Sequence, residues 1–225
     1  MAWVYWRTPR TETGTWLSAG GWVLLGGLLG ARAAFVALNW SYFSTSLSEA
    51  WQVWAGGLDW TGALPGALAT ILLLAALRRQ NPGLVADRLL PLLLPLVVTA
   101  WLGCWQDGCA YGAPSQAWWA APASDEWGLV ERRVPVQLAG TLLGMVSLGT
   151  IDYFLQSFKR PGQAASLGAL ALGLQGLGLS YLRADPAQAW RGYRLESWLS
   201  LGWVTVCVIL CLAAFWPARK KRTKT

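Results

Sequence analysis

The sequence predicts an all-α fold, a polytopic integral membrane helical bundle with about six transmembrane helices. Of its 225 residues, 55% are hydrophobic and only 13% are charged, about half the charged fraction of an average soluble domain. Seventeen residues are Trp, whose ring favours the membrane–water interface. Several stretches approach the ~20 apolar residues that a bilayer-spanning helix needs. These six stretches are residues 16–38, 58–77, 89–105, 135–155, 164–182 and 198–216. Pro91 and Pro95 predict a kink in the third.

The distribution of basic residues predicts that both termini are cytoplasmic. Twelve of the eighteen Lys and Arg residues lie near the termini or after the second and fourth stretches, and five lie on the opposite side. Cytoplasmic loops carry the excess of Lys and Arg. We expect a cytoplasmic segment at 1–15, one transmembrane domain at 16–216 and a basic cytoplasmic tail at 217–225. The external loops are expected at about 39–57, 106–134 and 183–197.

Charged residues collect at the external ends of the predicted helices. They are Arg32, Asp59, Asp107, Arg132, Arg133, Arg183 and Asp185. Several Arg side chains in one pocket suit a phosphate-bearing lipid head group, because the guanidinium binds phosphate in a forked geometry. For each residue the alternative is ordinary solvated loop charge. Arg32, within the first stretch, has the further alternatives of snorkelling to the interface or forming a structural ion pair.

The chain contains no His, which excludes an imidazole base or ligand within it. The four Cys residues form no CxxC pair, so a zinc site has little support, and no metal or cofactor is predicted. Cys104 and Cys109 lie near an external, oxidising surface, where a disulfide is possible. A continuous helix would instead point their side chains apart, and the two readings stay open.

Two glycine pairs have the small-xxx-small spacing that lets helix backbones approach closely. They are Gly26 with Gly30 and Gly62 with Gly66. The chain has 25 Gly residues, so such spacings also arise by chance.

Five motifs follow one another at the ends of the predicted helices. They are Gly30-Ala31-Arg32, the stretch from Gly56-Gly57 to Gly62-Ala63-Leu64, Leu102-Gly103-Cys104 through Gly108-Cys109-Ala110-Tyr111-Gly112, Pro135-Val136-Gln137-Leu138, and Tyr181-Leu182-Arg183-Ala184-Asp185-Pro186. In this order they resemble the motifs of the bacterial prolipoprotein diacylglyceryl transferases. The resemblance runs from about residue 26 to residue 214.

The resemblance implies a set of lipid-binding residues and shows several replacements. The residues expected to bind lipid are Arg32, Arg183, Gly62, Gly103, Gly108 and Gln137. The family's first His is Thr61 here, its signature Arg is Trp101, its second His is Val134, its Tyr-Glu pair is Ala139-Gly140, and its last Glu is Ser180.

The family reaction, by resemblance, moves a diacylglyceryl group from phosphatidylglycerol to the thiol of a lipobox Cys in a secreted precursor. Cations must hold the glycerol phosphate, which makes Arg183 a candidate catalytic residue. A further group must favour the thiolate, and the sequence leaves Asp59 or Asp107 as candidates. The resemblance implies a multi-pass protein of the bacterial inner (plasma) membrane.

Whether the chain is an enzyme stays open at this point. As a transferase, its partners would be phosphatidylglycerol or another anionic lipid and a lipobox-bearing prolipoprotein. The loss of both signature charges supports an alternative, a catalytically silent relative that is a lipid-binding or scaffold subunit of a larger membrane complex. A transporter is less favoured because no inverted repeat is visible, and no nucleic-acid partner is expected.

Overall fold

The computed structural model describes residues 12–216, which form eight α-helices and four short strands. The helices are α1 (Thr13–Leu38), α2 (Trp40–Phe43), α3 (Trp60–Leu77), α4 (Pro82–Leu89), α5 (Leu93–Asp107), α6 (Val136–Tyr153), α7 (Gln163–Ser180) and α8 (Leu195–Phe215). The strands are β1 (Ala121–Ser124), β2 (Val130–Arg133), β3 (Ala189–Trp190) and β4 (Tyr193–Arg194). The expected basic tail and most of the expected N-terminal segment lie outside the described residues.

Four helical stretches of the described residues are long and apolar enough to cross a membrane. They are Thr13–Leu38, Trp60–Leu77, Pro82–Asp107 and Leu195–Phe215. The third is broken by a short 3₁₀ turn at Leu90–Leu92, beside the prolines that predict a kink. α6 and α7 occupy the fourth and fifth predicted stretches, but Gly, Ser, Thr and Gln residues make them less apolar. The chain is therefore a mostly helical protein with four candidate spans, and the number six stays a prediction.

The two glycine pairs pack against each other where α1 meets α3. A Cβ atom on Gly62 would lie 2.2 Å from the carbonyl oxygen of Gly30, and one on Gly66 would lie 2.4 Å from that of Gly26. Only glycine permits this approach, because no side chain separates the backbones. In this structure the spacing is therefore a helix-packing feature rather than a chance occurrence.

The remaining helices form a second group around α6. α6 packs against α5 and α7, and α7 also packs against α8. α4 joins the two groups because it contacts both α3 and α7. Its Asp87 carboxylate accepts hydrogen bonds from the N–H groups of Gly162 at 2.7 Å and Ala165 at 2.8 Å. Asp87 therefore caps the N-terminus of α7 from a different helix.

The fold is not purely α-helical, which corrects one part of the prediction. The loop between α5 and α6 contains an antiparallel hairpin in which Ala121 faces Arg133 and Ser124 faces Val130. The loop between α7 and α8 contains a smaller hairpin of β3 and β4. Both hairpins lie in stretches predicted only as external loops. Their backbone groups have no helical partners, so short strand pairing satisfies some of them.

Candidate functional site

The candidate site lies where α1, α5 and α7 end and α3, α6 and α8 begin, which we call the site end. α5 ends at Asp107, and Gly108 follows in the left-handed conformation with φ +70°. A Cβ atom on Gly108 would lie 2.3 Å from the carbonyl oxygen of Asp125. Glycine is therefore required there both by conformation and by space.

The turn at Gly108 brings Cys109 back to Cys104, and the two form a disulfide. The Cys109 N–H also donates to the Cys104 carbonyl at 2.9 Å. The helix does not continue through Cys109, so the expectation that the two side chains point apart does not apply. The structure thus answers a question that the sequence left open.

Residues 109–112 then connect three parts of the site end. The buried side chain of Gln137, in the first turn of α6, donates to the Cys109 carbonyl at 2.9 Å. The Ala184 N–H donates to the Tyr111 carbonyl at 2.8 Å, and Gly112 forms an isolated antiparallel bridge with Arg183. Gln137 therefore positions the backbone before Tyr111, and its predicted lipid contact stays a prediction.

Arg183 is held by carboxylates on the α7–α8 connection. Its guanidinium lies 2.5 Å from Asp185 and 3.0 Å from Glu196, and Arg194 lies 3.3 Å and 3.4 Å from the same two side chains. All four side chains are between 13% and 17% exposed. The Coulomb attraction within these pairs is therefore stronger than between the same charges in open solvent. The hydrogen bonds use three of the five Arg183 N–H groups.

The pKa values of this cluster reflect the pairing. Burial tends to lower the pKa of Arg183, but the hydrogen bond to Asp185 and the charges of Glu196, Asp185 and Asp59 outweigh it and raise that pKa. Burial tends to raise the pKa of Asp185, but the hydrogen bond from Arg183 and the nearby Arg charges lower it overall. Asp185 and Arg183 are therefore charged at neutral pH.

Tyr111 forms a second cluster beside the first. Its hydroxyl donates to Glu126, and this bond is the main cause that raises the Tyr111 pKa to about 12. The guanidinium of buried Arg133 lies 4.8 Å from the centre of the Tyr111 ring. Arg133 is also 3.1 Å from Asp125. These contacts fasten the larger hairpin to the segment that carries Tyr111.

The two candidate carboxylate bases, Asp59 and Asp107, lie in different surroundings. Asp59 caps α3, and one of its carboxylate oxygens accepts from the Thr61 N–H at 2.7 Å and from the Thr61 hydroxyl at 2.5 Å. Its negative charge is the smallest of the causes that raise the pKa of Arg183. Asp107 lies exposed at the last residue of α5. Arg183 and Asp59 thus lie at the same end of the bundle, but no hydrogen bond or ion pair joins them within residues 12–216, and none joins Asp107 to either.

Arg32 is buried and bonded to the backbone of the loop between α2 and α3. Its guanidinium donates to the carbonyls of Glu49, Ala50, Gly56 and Gly57 at 2.6–3.0 Å. It therefore neither snorkels nor forms an ion pair with a described carboxylate, and it organises the first predicted external loop. A cavity of about 240 Å³ adjoins it, lined also by Phe35 and Tyr42. Binding of a lipid by Arg32 stays a prediction.

Packing accounts for several of the remaining motif positions. The Trp101 ring lies against α6, where a Cβ atom on Gly140 would be 2.3 Å from it. Trp101 and Gly140 both replace family residues, and the large ring of Trp101 occupies the space that the absent side chain of Gly140 leaves. Gly62 belongs to the α1–α3 contact, whereas a Cβ atom on Gly103 would meet nothing within 4 Å. The structure therefore gives no packing reason for Gly103.

Several residues of the two clusters are not among the predicted site residues. They are Tyr111, Asp125, Glu126, Arg194 and Glu196. The closely spaced Arg194 and Glu196, directly before an apolar stretch, are a usable signal for an ion-pair cluster at a helix end. No comparable signal marks Glu126. Among residues 12–216, no group of three or more His, Cys, Asp or Glu side chains is placed to hold a metal ion.

Comparisons with known proteins indicate the same family as the motifs do. A family model described as prolipoprotein diacylglyceryl transferase matches residues 2–213. The phosphatidylglycerol–prolipoprotein diacylglyceryl transferase of Nitratidesulfovibrio vulgaris is 28% identical over 196 residues, which cover 86% of this chain and 71% of that relative. Proteins of the same name from Fervidobacterium nodosum and Thermosynechococcus vestitus are 28% and 26% identical, over 75% and 76% of this chain and 60% and 78% of theirs. The chain therefore belongs to the prolipoprotein diacylglyceryl transferase family.

Proposed function

We propose that this protein transfers the diacylglyceryl group of phosphatidylglycerol to the thiol of a lipobox Cys in a prolipoprotein. Family membership supports a transferase-like function. One structural observation supports retained chemistry: Asp185 and Glu196 hold the Arg183 guanidinium at the same end of the bundle where Asp59 caps α3. The proposal gives Arg183 and Asp59 separate roles.

Arg183 is proposed to bind the glycerol phosphate and stabilise its charge as it leaves. Its contacts with Asp185 and Glu196 fix the guanidinium in place, and the proposal assigns the N–H groups that these hydrogen bonds do not use to a phosphate oxygen. A cation that is already oriented stabilises a developing charge without reorganising during the reaction. Asp185 and Glu196 are thus positioning residues in this proposal.

Asp59, rather than Asp107, is proposed as the base. It accepts the thiol proton, and the thiolate sulfur then forms a bond to the terminal glyceryl carbon that bears the phosphate. The bond between that carbon and the phosphate oxygen breaks, and glycerol phosphate leaves with the electron pair. The Thr61 hydroxyl, which occupies the position of the family His, orients the Asp59 carboxylate through a 2.5 Å hydrogen bond.

Complementation tests the proposal in cells. A strain depleted of its own transferase would carry this chain, its Asp59→Asn variant or its Asp107→Asn variant. Asn is as good an N-cap as Asp, so Asp59→Asn removes the charge and keeps the α3 cap. We expect the wild type and Asp107→Asn to restore growth and lipidated precursor, and Asp59→Asn to restore neither. Rescue by Asp59→Asn would exclude Asp59 as the base.

The catalytically silent alternative rests on a specific observation. The Arg183 charge is already compensated by Asp185 and Glu196, and the signature position holds the apolar ring of Trp101. A silent subunit would fail complementation while phosphatidylglycerol and a protein partner co-purify with it. An active enzyme would complement without a partner.

We propose that the protein is a single multi-pass domain of the inner (plasma) membrane with both termini cytoplasmic. The four candidate spans and the bacterial relatives support a membrane location. In this arrangement the site end faces outwards, where secreted precursors emerge. Labelling of single Cys residues from outside intact cells tests it: a Cys introduced at Gly128, in the larger hairpin, should react, and one at Arg79 should not.

A further inference from the structure

The smaller hairpin contains an arginine where the backbone disfavours one. Two residues, Arg191 at φ +52° and Gly192 at φ +81°, connect β3 to β4. Two-residue turns with positive φ at both positions favour Asn, Asp or Gly first, because a larger side chain crowds the backbone there. A residue that breaks a local preference is a candidate for a role played by its side chain.

The side chain of Arg191 is available to a ligand. It is exposed, and its guanidinium lies 4.8 Å from the centre of the Trp190 ring. The other arginines of the two site-end clusters, Arg133, Arg183 and Arg194, are each ion-paired to carboxylates. Arg191 has no such partner among residues 12–216. Its positive charge is therefore not compensated within the described protein.

The Trp190 ring beside this charge belongs to an aromatic cluster. The rings of Trp190 and Trp198 lie 5.2 Å apart, and those of Tyr193 and Trp198 lie 6.2 Å apart. Trp190 is 51% exposed and Tyr193 is 55% exposed. The cluster immediately precedes and overlaps the start of α8, a candidate membrane span beginning at Leu195. It therefore lies at the level where a spanning helix leaves the hydrocarbon, which is where Trp and Tyr are enriched.

We infer that Arg191, supported by Trp190, Tyr193 and Trp198, binds the phosphate of an anionic phospholipid at the membrane surface. The aromatic rings lie among the lipid head groups, and the guanidinium donates to a phosphate oxygen. This contact is separate from the Arg183 pair. It does not depend on transfer activity, so a silent relative would keep it.

The variant Arg191→Asn tests this inference, because Asn favours this turn but carries no charge. The full-length chain in nanodiscs would be photolabelled with head-group-reactive phosphatidylglycerol or phosphatidylcholine, and labelling of hairpin residues 189–193, apart from the Arg183 cluster, would be mapped by mass spectrometry. We expect three- to fivefold more labelling by phosphatidylglycerol in the wild type, in line with the gain per Arg at an anionic surface. In Arg191→Asn the ratio should fall to about one while the melting temperature stays equal or rises.

Arg79→Asn is the matched control. Arg79 is also exposed and has φ +53°, but it lies at the opposite end of the bundle. This variant should keep the labelling ratio of the wild type at residues 189–193. The inference is overturned if the wild type shows no lipid preference there, or if Arg191→Asn keeps it. A lower melting temperature with the preference retained would make Arg191 a turn residue only.

Discussion

Adding one methyl group to Gly62 should separate α1 from α3. The new Cβ atom would lie 2.2 Å from the Gly30 carbonyl oxygen and 2.4 Å from the Ala34 Cβ atom. Neither atom can move away by a side-chain rotation, so the helices themselves must shift. Overpacking of this kind costs about 1–3 kcal/mol, and the lost close backbone contacts cost about 0.5–1 kcal/mol each. The better helix propensity of Ala returns about 1 kcal/mol, so we expect Gly62→Ala to lower the free energy of unfolding by roughly 1–2 kcal/mol.

Thermal unfolding in detergent measures this effect, with Gly178→Ala as the matched control. Gly178 also lies in a helix, α7, but a Cβ atom there would meet nothing within 4 Å. The control should be neutral or more stable, whereas Gly62→Ala should melt about 2–4 °C lower for each kcal/mol lost. If both variants unfold at the same temperature, the two glycine pairs do not form the contact described.

Three further predictions concern individual side chains. Asp87→Ala should lower the free energy of unfolding by about 1–2 kcal/mol, because it uncaps α7, and Asp87→Asn should recover part of the loss in chemical unfolding experiments. The pKa of Asp185 is lowered. The stabilisation from its ion pairs is therefore fully present above the ordinary Asp pKa and is lost as the pH falls through the lowered value. On acidification, the melting temperature of Asp185→Asn should fall less than that of the wild type. The pKa of Tyr111 is raised from 10.0 to about 12, so its stabilisation is lost as the pH rises between these values. The absorbance difference between wild type and Tyr111→Phe should therefore titrate near 12, and Glu126→Gln should move that titration towards 10.

The positions of the helices could be predicted because the length of an apolar run is a local property. The predicted stretch 58–77 corresponds to Trp60–Leu77, and 16–38 corresponds to Thr13–Leu38. The break before α5 follows from Pro91 for the same reason. The hairpins could not be predicted because their strands have at most four residues, which is too short to show an alternating pattern.

The partners within the site could not be predicted because they depend on how distant segments pack. Arg32 was expected to face a lipid or an acid, but it donates to carbonyls of a loop that folds back over it. Whether Cys104 pairs with Cys109 depends on where α5 stops. The ion pair between Arg183 and Glu196 depends on how the connection between α7 and α8 folds. Motif order correctly identified the family, whereas these contacts became visible only in three dimensions.

The most direct test of the proposed function is transfer by the purified protein. The full-length chain in nanodiscs containing phosphatidylglycerol would be incubated with a lipobox peptide, and the peptide mass and the released glycerol phosphate would be measured. We predict a peptide carrying one diacylglyceryl group on its Cys, with equimolar glycerol phosphate, and a rate at least about 100-fold lower for Asp59→Asn. Peptide that stays unmodified, while the protein is folded and binds phosphatidylglycerol, would contradict the proposal and favour the silent relative.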